Sequence, residues 1–135
     1  HPSIYLLDKT DMPNKVYYGL SEKGCFYNSF KIVKEFLTKN GVKDEKIFTQ
    51  EANEKNTIDF NTTFDLIISL ISWGFHYPVS AYLDQVYEKL SPGGVLILDV
   101  RKSFGGIEAL QKKFGNMEII YDAIKHSRVV LKKIS

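Results

Sequence analysis

Residues 64–101 read FDLIISLISWGFHYPVSAYLDQVYEKLSPGGVLILDVR, and the succession of patterns along this stretch decides the fold. Leu66, Ile67 and Ile68 form an unbroken apolar run with β-branched members, as in a strand covered on both faces, and Leu70 and Ile71 prolong it. A polar-aromatic loop follows. From Ser80 to Leu90 the period becomes helical. Leu83, Val86, Tyr87 and Leu90 share one face, while Asp84, Gln85, Glu88 and Lys89 point elsewhere. Ser91-Pro92-Gly93-Gly94 stops the helix with a missing donor and permissive glycines. Val95 to Val100 resumes the buried-strand pattern. A strand, a helix and a strand so closely spaced predict a right-handed βαβ unit with parallel strands.

Working outward, Ile4–Leu7 is a short strand ending in Asp8, followed by a polar turn over Lys9 to Asn14. Val16-Tyr17-Tyr18 reads as a brief extended piece and Gly19 to Gly24 as loop. Asn28 or Ser29 caps a helix whose apolar positions are Phe30, Val33, Phe36 and Leu37, closed by Asn40-Gly41. Lys46 to Thr49 is the next strand, and Gln50 to Asn61 a polar connection. Past the opening stretch, Gly105-Gly106 starts a helix over about Ile107 to Phe114, which Gly115-Asn116 ends. Glu118 to Ala123 and Arg128 to Lys132 are two strands joined by a hairpin-length connection. Alternating strands and helices predict an α/β, doubly wound, mostly parallel sheet, and the final pair adds a C-terminal antiparallel hairpin.

The 135 residues suffice for one domain over 1–135, and 44% apolar with 25% charged residues is an ordinary globular composition. A net charge of +2 with dispersed lysines argues against nucleic acid as a partner. No apolar run approaches the roughly 20 residues that cross a membrane. The single cysteine, Cys25, forms no internal disulfide and suits the reducing cytoplasm. No His, Cys, Asp and Glu spacing has the form of a metal site.

The central stretch also carries a resemblance. The Asp65-Leu66-Ile67 strand, the serine-containing loop, the helix ending in Leu90-Ser91-Pro92-Gly93-Gly94 and the Leu96-Ile97-Leu98-Asp99 strand look like the fourth and fifth strands of class I S-adenosylmethionine-dependent methyltransferases, whose sheet is Rossmann-like. Ser72-Trp73-Gly74-Phe75-His76-Tyr77-Pro78 and Leu98-Asp99-Val100-Arg101 are similar to a bacterial group described as sugar or small-molecule O-methyltransferases. One departure stands out. The family's first strand and glycine-rich turn, which hold the methionine part of the cofactor, have no counterpart before Ile4, and no G-x-G pattern precedes Asn28. The chain is expected to be N-terminally incomplete relative to the family, and to bind the cofactor weakly.

The resemblance implies S-adenosylmethionine as cofactor and assigns roles residue by residue. Asp8 accepts the ribose hydroxyls, or is merely a turn-forming acid. Glu51, or equally Gln50, bonds the adenine amino group, while the Ala52 N–H meets a ring nitrogen. Ser69 and Ser72 lie against the methionine and adenosine. Trp73, Phe75 and Tyr77 are apolar walls for a sulfonium or a sugar, or core plugs beneath the loop. His76 titrates near neutrality and is the candidate general base. Arg101 clamps an anionic or sugar acceptor, or pairs with a carboxylate; Asp99 is structural or part of the site. Tyr17, Tyr18, Tyr27 and Asn28 form a lid or simply pack.

Two functions are compatible with these residues. One is methyl transfer to a hydroxyl of a small molecule, a sugar being the candidate acceptor. The other is a non-catalytic, degenerate methyltransferase-fold module whose exposed sheet edges recruit another chain, a second copy included.

Overall fold

The structure, a computed structural model, describes residues 2–9 and 29–135. The expected polar turn, loop and lid between Thr10 and Asn28, and Cys25 with them, lie outside those residues. The described chain divides into two compact units, residues 1–60 and 61–135.

In the first unit, β1 (Ile4–Asp8) and β2 (Ile47–Glu51) pair in parallel with Ile4 opposite Ile47 and Asp8 opposite Glu51. Helix α1 (Phe30–Lys39) begins at Ser29, whose side chain makes no cap bond, and ends where Gly41 turns left-handed at φ 91°. β2 runs two residues further than its sequence pattern predicts, because Gln50 and Glu51 find ladder partners in Leu7 and Asp8. Aromatic rings do much of the packing here. Tyr5 stacks on Phe48 at 4.7 Å and meets the edge of Phe60 at 4.9 Å.

The second unit holds a mixed four-stranded sheet in the order β3-β5-β7-β6, from β3 (Phe64–Ser69), β5 (Leu90–Arg101), β6 (Glu118–Asp122) and β7 (His126–Lys132). β3 and β5 are parallel and are connected through α2 (Leu83–Lys89), as the βαβ reading requires. β7 runs antiparallel between β5 and β6, and the terminal hairpin forms as expected. One face of β5 is dry: Leu96, Leu98 and Val100 are buried, beside Val129 and Leu131 of β7. Leu110 and Phe114 of α3 (Gly106–Phe114) and Val86 of α2 complete this core. The two helices meet where the Tyr87 and Phe114 rings touch edge to face at 5.0 Å and Lys113 reaches Asp84 at 2.9 Å.

Four expectations change. The strands fall into two sheets rather than one doubly wound sheet. β3 is not covered on both faces, since Leu66 and Ile68 stay 52% and 53% exposed. The helix predicted from Ser80 is preceded by a 3-10 turn, Val79–Ala81, and starts at Leu83. Finally, residues 72–77 form a strand, β4 (Ser72–Tyr77), instead of a loop. The Pro-Gly-Gly turn survives as a bulge inside β5. Phe64 pairs with Leu90 and Leu66 with Val95, so residues 91–94 loop out of register. Gly94 is required there, because a Cβ would lie 2.8 Å from the Ser91 carbonyl oxygen and 3.0 Å from that of Phe64.

Candidate functional site

The carboxyl ends of β1 and β2 bring Asp8 and Glu51 side by side as register partners, both exposed. Parallel pairing makes this unavoidable: each strand ends in its acid, and both ends face the same way. Two other expected cofactor contacts are taken by the protein itself. The Ala52 N–H donates to the Asp8 carbonyl at 2.8 Å, so it is not open to an adenine nitrogen. The Gln50 side-chain amide donates to the Thr57 carbonyl at 2.8 Å and accepts from the Asp59 N–H at 2.7 Å. Gln50 thereby cinches the loop after β2, a structural duty in place of adenine recognition. Asp8 Oδ1 itself accepts the Lys9 N–H at 2.7 Å, the bond of a turn-forming acid, while Asp8 and Glu51 together bring two acids to one strand end.

In the second unit, the connection from β3 to β4 is tight. Ser69 Oγ accepts the Trp73 N–H at 3.2 Å, and Ser72 is exposed. Between them Ile71 has φ 48°, a costly angle for a β-branched residue, on the order of 1–3 kcal/mol. Its N–H donates to Asp99 Oδ2 at 3.1 Å. Asp99 is fully buried and also accepts from Arg128, Nε to Oδ1 at 2.7 Å and Nη2 to Oδ2 at 3.0 Å. Burial alone would raise this carboxyl; the Arg128 hydrogen bonds and charge, with the Ile71 N–H, outweigh it and hold it below the ordinary carboxylate range. Asp99 is the fastener that locks β5, β7 and the strained Ile71 connection together. Arg128 escaped the sequence reading because its partner is 29 residues away and nothing local announces the pair.

Beyond this fastener a cleft of about 430 Å³ opens between the end of β4, the end of β5 and the first turn of α3. Phe75, His76, Tyr77 and Arg101 line it, as do Phe104, Gly105 and Gly106. Trp73 does not. It is buried, its indole N–H donates to the Val79 carbonyl at 3.0 Å, and its ring meets Tyr82 edge-on. It is a core plug under the cleft rather than an acceptor wall. Gly74 explains its own place in the motif. Its φ is 88°, and a Cβ would lie 2.8 Å from the Asp99 carbonyl oxygen, so only glycine lets β4 cross β5 so closely.

Phe75 is the hub of the cleft. The Arg101 guanidinium lies over its ring at 4.3 Å, and Arg101 Nε donates to the Phe75 carbonyl at 2.6 Å. His76 and His126 meet the same ring edge-on at 4.9 and 5.4 Å. His76 and Tyr77 are exposed at the rim. The structure therefore gathers four of the expected residues, Phe75, His76, Tyr77 and Arg101, in one place. Phe104 joins them unforeseen: it is 89% exposed, with φ 80°. Its only sequence signal was the Gly105-Gly106 pair beside it. No group of three or more metal-ligating side chains occurs among the described residues.

No protein-family model and no curated protein matches this sequence. Solved structures do. An rRNA methylase from Streptococcus thermophilus superposes with 99% of this chain and 89% of its own, at a TM-score of 0.54 and 9% identity. A 16S rRNA methyltransferase (RsmC) from T. thermophilus, in complex with AdoMet and guanosine, covers 96% of this chain at a TM-score of 0.58 and 18% identity. This chain spans only 37% of that protein. A SAM-dependent O-methyltransferase from Thermotoga maritima covers 99% of this chain and 60% of its own, with a TM-score of 0.52 and 13% identity. At such identities the likeness is one of fold, and the chain has the α/β fold of S-adenosylmethionine-dependent methyltransferases.

Proposed function

We propose that this chain is part of an enzyme that transfers a methyl group from S-adenosylmethionine to a hydroxyl of a small molecule, with a sugar as the candidate acceptor. The observation that carries the reading is a cleft that brings together an imidazole, aromatic walls and one cation on a methyltransferase fold. When bound, the cofactor supplies an activated methyl on cationic sulfur. The protein's own residues have simpler tasks. In the first unit Asp8 and Glu51 offer acceptors to a nucleoside; in the second, Phe75 and Tyr77 shape the acceptor wall and His76 takes the acceptor proton. Incubation with S-adenosylmethionine and a panel of hydroxylated acceptors, read as S-adenosylhomocysteine release, tests this. His76→Gln is expected to lower turnover on the order of 100-fold. Full activity in that variant removes the base.

One observation favours the non-catalytic reading: the Gln50 amide and the Ala52 N–H are both engaged within the chain. Calorimetric titration with S-adenosylmethionine separates the two readings, since a scaffold module gives no heat. The rRNA enzymes among the structural neighbours supply a third acceptor class, which the same turnover assay covers with an RNA substrate.

A further inference from the structure

We infer that the cleft recognises an oxyanion, a carboxylate or phosphate carried by a small acceptor, through the Arg101 guanidinium, with Phe104 as the flat wall beside it. This rests on the reading of the cleft as an acceptor site. Three features carry it.

The first is the charge balance of the cleft. Arg101 is the only permanently charged residue among those lining it, and none of the lining residues is an acid; the Glu108 carboxylate comes no nearer than 4.0 Å to where a Gly105 Cβ would stand. The other ion pairs of the unit are made elsewhere: Arg128 with Asp99, Lys102 with Asp122 and Lys113 with Asp84. Among the described residues Arg101 has no carboxylate partner.

The second is preorganisation. Nε is tied to the Phe75 carbonyl and the guanidinium plane rests on the Phe75 ring. The remaining nitrogens form a fixed fork, the geometry that suits two oxygens of one anion. Beside it α3 starts at Gly106 after the N-cap Gly105, which has no capping side chain, and both glycines line the cleft wall. The only acid of that turn, Glu108, is not among the lining residues.

The third is Phe104. Its backbone is left-handed, as is that of Gly105 at φ 72°, and its ring is 89% exposed at the cleft edge. Such strained residues cluster at active sites and ligand clamps, and with its ring this exposed no core packing explains it here. The ring offers a flat face to an aromatic or sugar ring whose anionic substituent meets Arg101. A cleft of about 430 Å³ matches a small molecule. An RNA backbone would call for several cations along a track, and this cleft has one.

Titrations of the whole chain followed by amide NMR test the inference, in the absence of S-adenosylmethionine. Two matched sets serve as probes, each pairing two anions with one neutral compound: phenyl phosphate and benzoate with benzyl alcohol, and glucose 6-phosphate and glucuronate with glucose. Each anion of a set is expected to bind roughly tenfold or more tightly than its neutral counterpart. The strongest shifts should fall at Phe75, Arg101 and residues 104–107. Comparing phosphate with carboxylate probes assigns the oxyanion. R101Q should erase the preference, R101K should keep part of it, and F104G should weaken all members of a set alike. An unchanged amide spectrum away from the cleft shows that the variants fold. Equal binding of charged and neutral probes, no binding of any anion, or full preference in R101Q overturns the inference. So does a single-stranded oligonucleotide that binds more tightly than the small anions with an affinity insensitive to R101Q. Because no cofactor is present, charge preference can fail while methyl transfer stands, and the reverse.

Discussion

The two units solve the same packing problem with different means. Of the twelve buried apolar residues among those described, eleven belong to residues 61–135, and Ile47 alone represents residues 1–60. The second unit has an aliphatic core two helices deep, with Leu96, Leu98, Leu110, Val129 and Leu131 sealed from solvent. The first relies on a two-stranded parallel ladder, three aromatic rings and an amide cinch at Gln50. A two-stranded sheet is marginal by itself. Among the described residues, the unit with the aliphatic core carries the cleft at Phe75 and Arg101, and the other presents Asp8 and Glu51 at a strand end.

The contrast can be broken or sharpened by substitution. The largest effect should come from Leu98→Ala, which empties a fully buried site and is expected to cost about 3–4 kcal/mol by chemical denaturation. Phe48→Ala, at a position 41% exposed, should cost roughly half that. Equal losses at the two positions would dissolve the comparison.

Asp99→Asn comes next. Removing the charge leaves Arg128 half-satisfied and the Ile71 N–H with a weaker acceptor, a loss of roughly 2–4 kcal/mol given that Arg128 is partly solvated. The pH dependence fixes the cause. The Asp99 carboxyl is held below its ordinary value of 3.8 in the folded protein. Its contribution is therefore complete above that value, and it disappears as the pH falls through the lower folded value. Denaturation midpoints of the native chain should drop below about pH 4, and the variant should lose part of that drop.

Gly74→Ala meets both a left-handed φ and the Asp99 carbonyl oxygen. It should destabilise by roughly 2–3 kcal/mol and disturb the cleft through Phe75. The smallest effect belongs to the first unit. Gln50→Ala releases residues 57–59 for about 1 kcal/mol, read as faster amide exchange at Asp59, whose N–H Gln50 accepts. An unaltered exchange rate there would mean that the loop holds itself through Asn53 and Thr57.

Much of this was legible along the chain. Periodicity placed α1, α2, α3 and the terminal hairpin within a few residues, because each is dictated by neighbours three or four positions apart, or by glycines at its ends. The motif around Gly74 and the Pro-Gly-Gly bulge were visible as unusual residues before their reasons were. The candidate site was half legible. His76, Phe75, Tyr77 and Arg101 were read from their chemistry and meet in one cleft. Trp73 read the same way and turned out to be core, since an aromatic residue's type does not tell which side of a strand it will occupy.

Sequence alone determined the parallel βαβ unit, the antiparallel end of the sheet and the acid closing β1, all of which follow from local period and strand polarity. Tertiary structure decided what two charged neighbours on β5 became. Asp99 met Arg128 across the sheet and was locked into the fold; Arg101, two residues on, met a carbonyl and a ring but no carboxylate among the described residues, and its charge was left facing a cleft. The reason is that a charge's fate depends on what lies within about 4 Å of it, and those neighbours come from distant parts of the chain that only the folded register brings together.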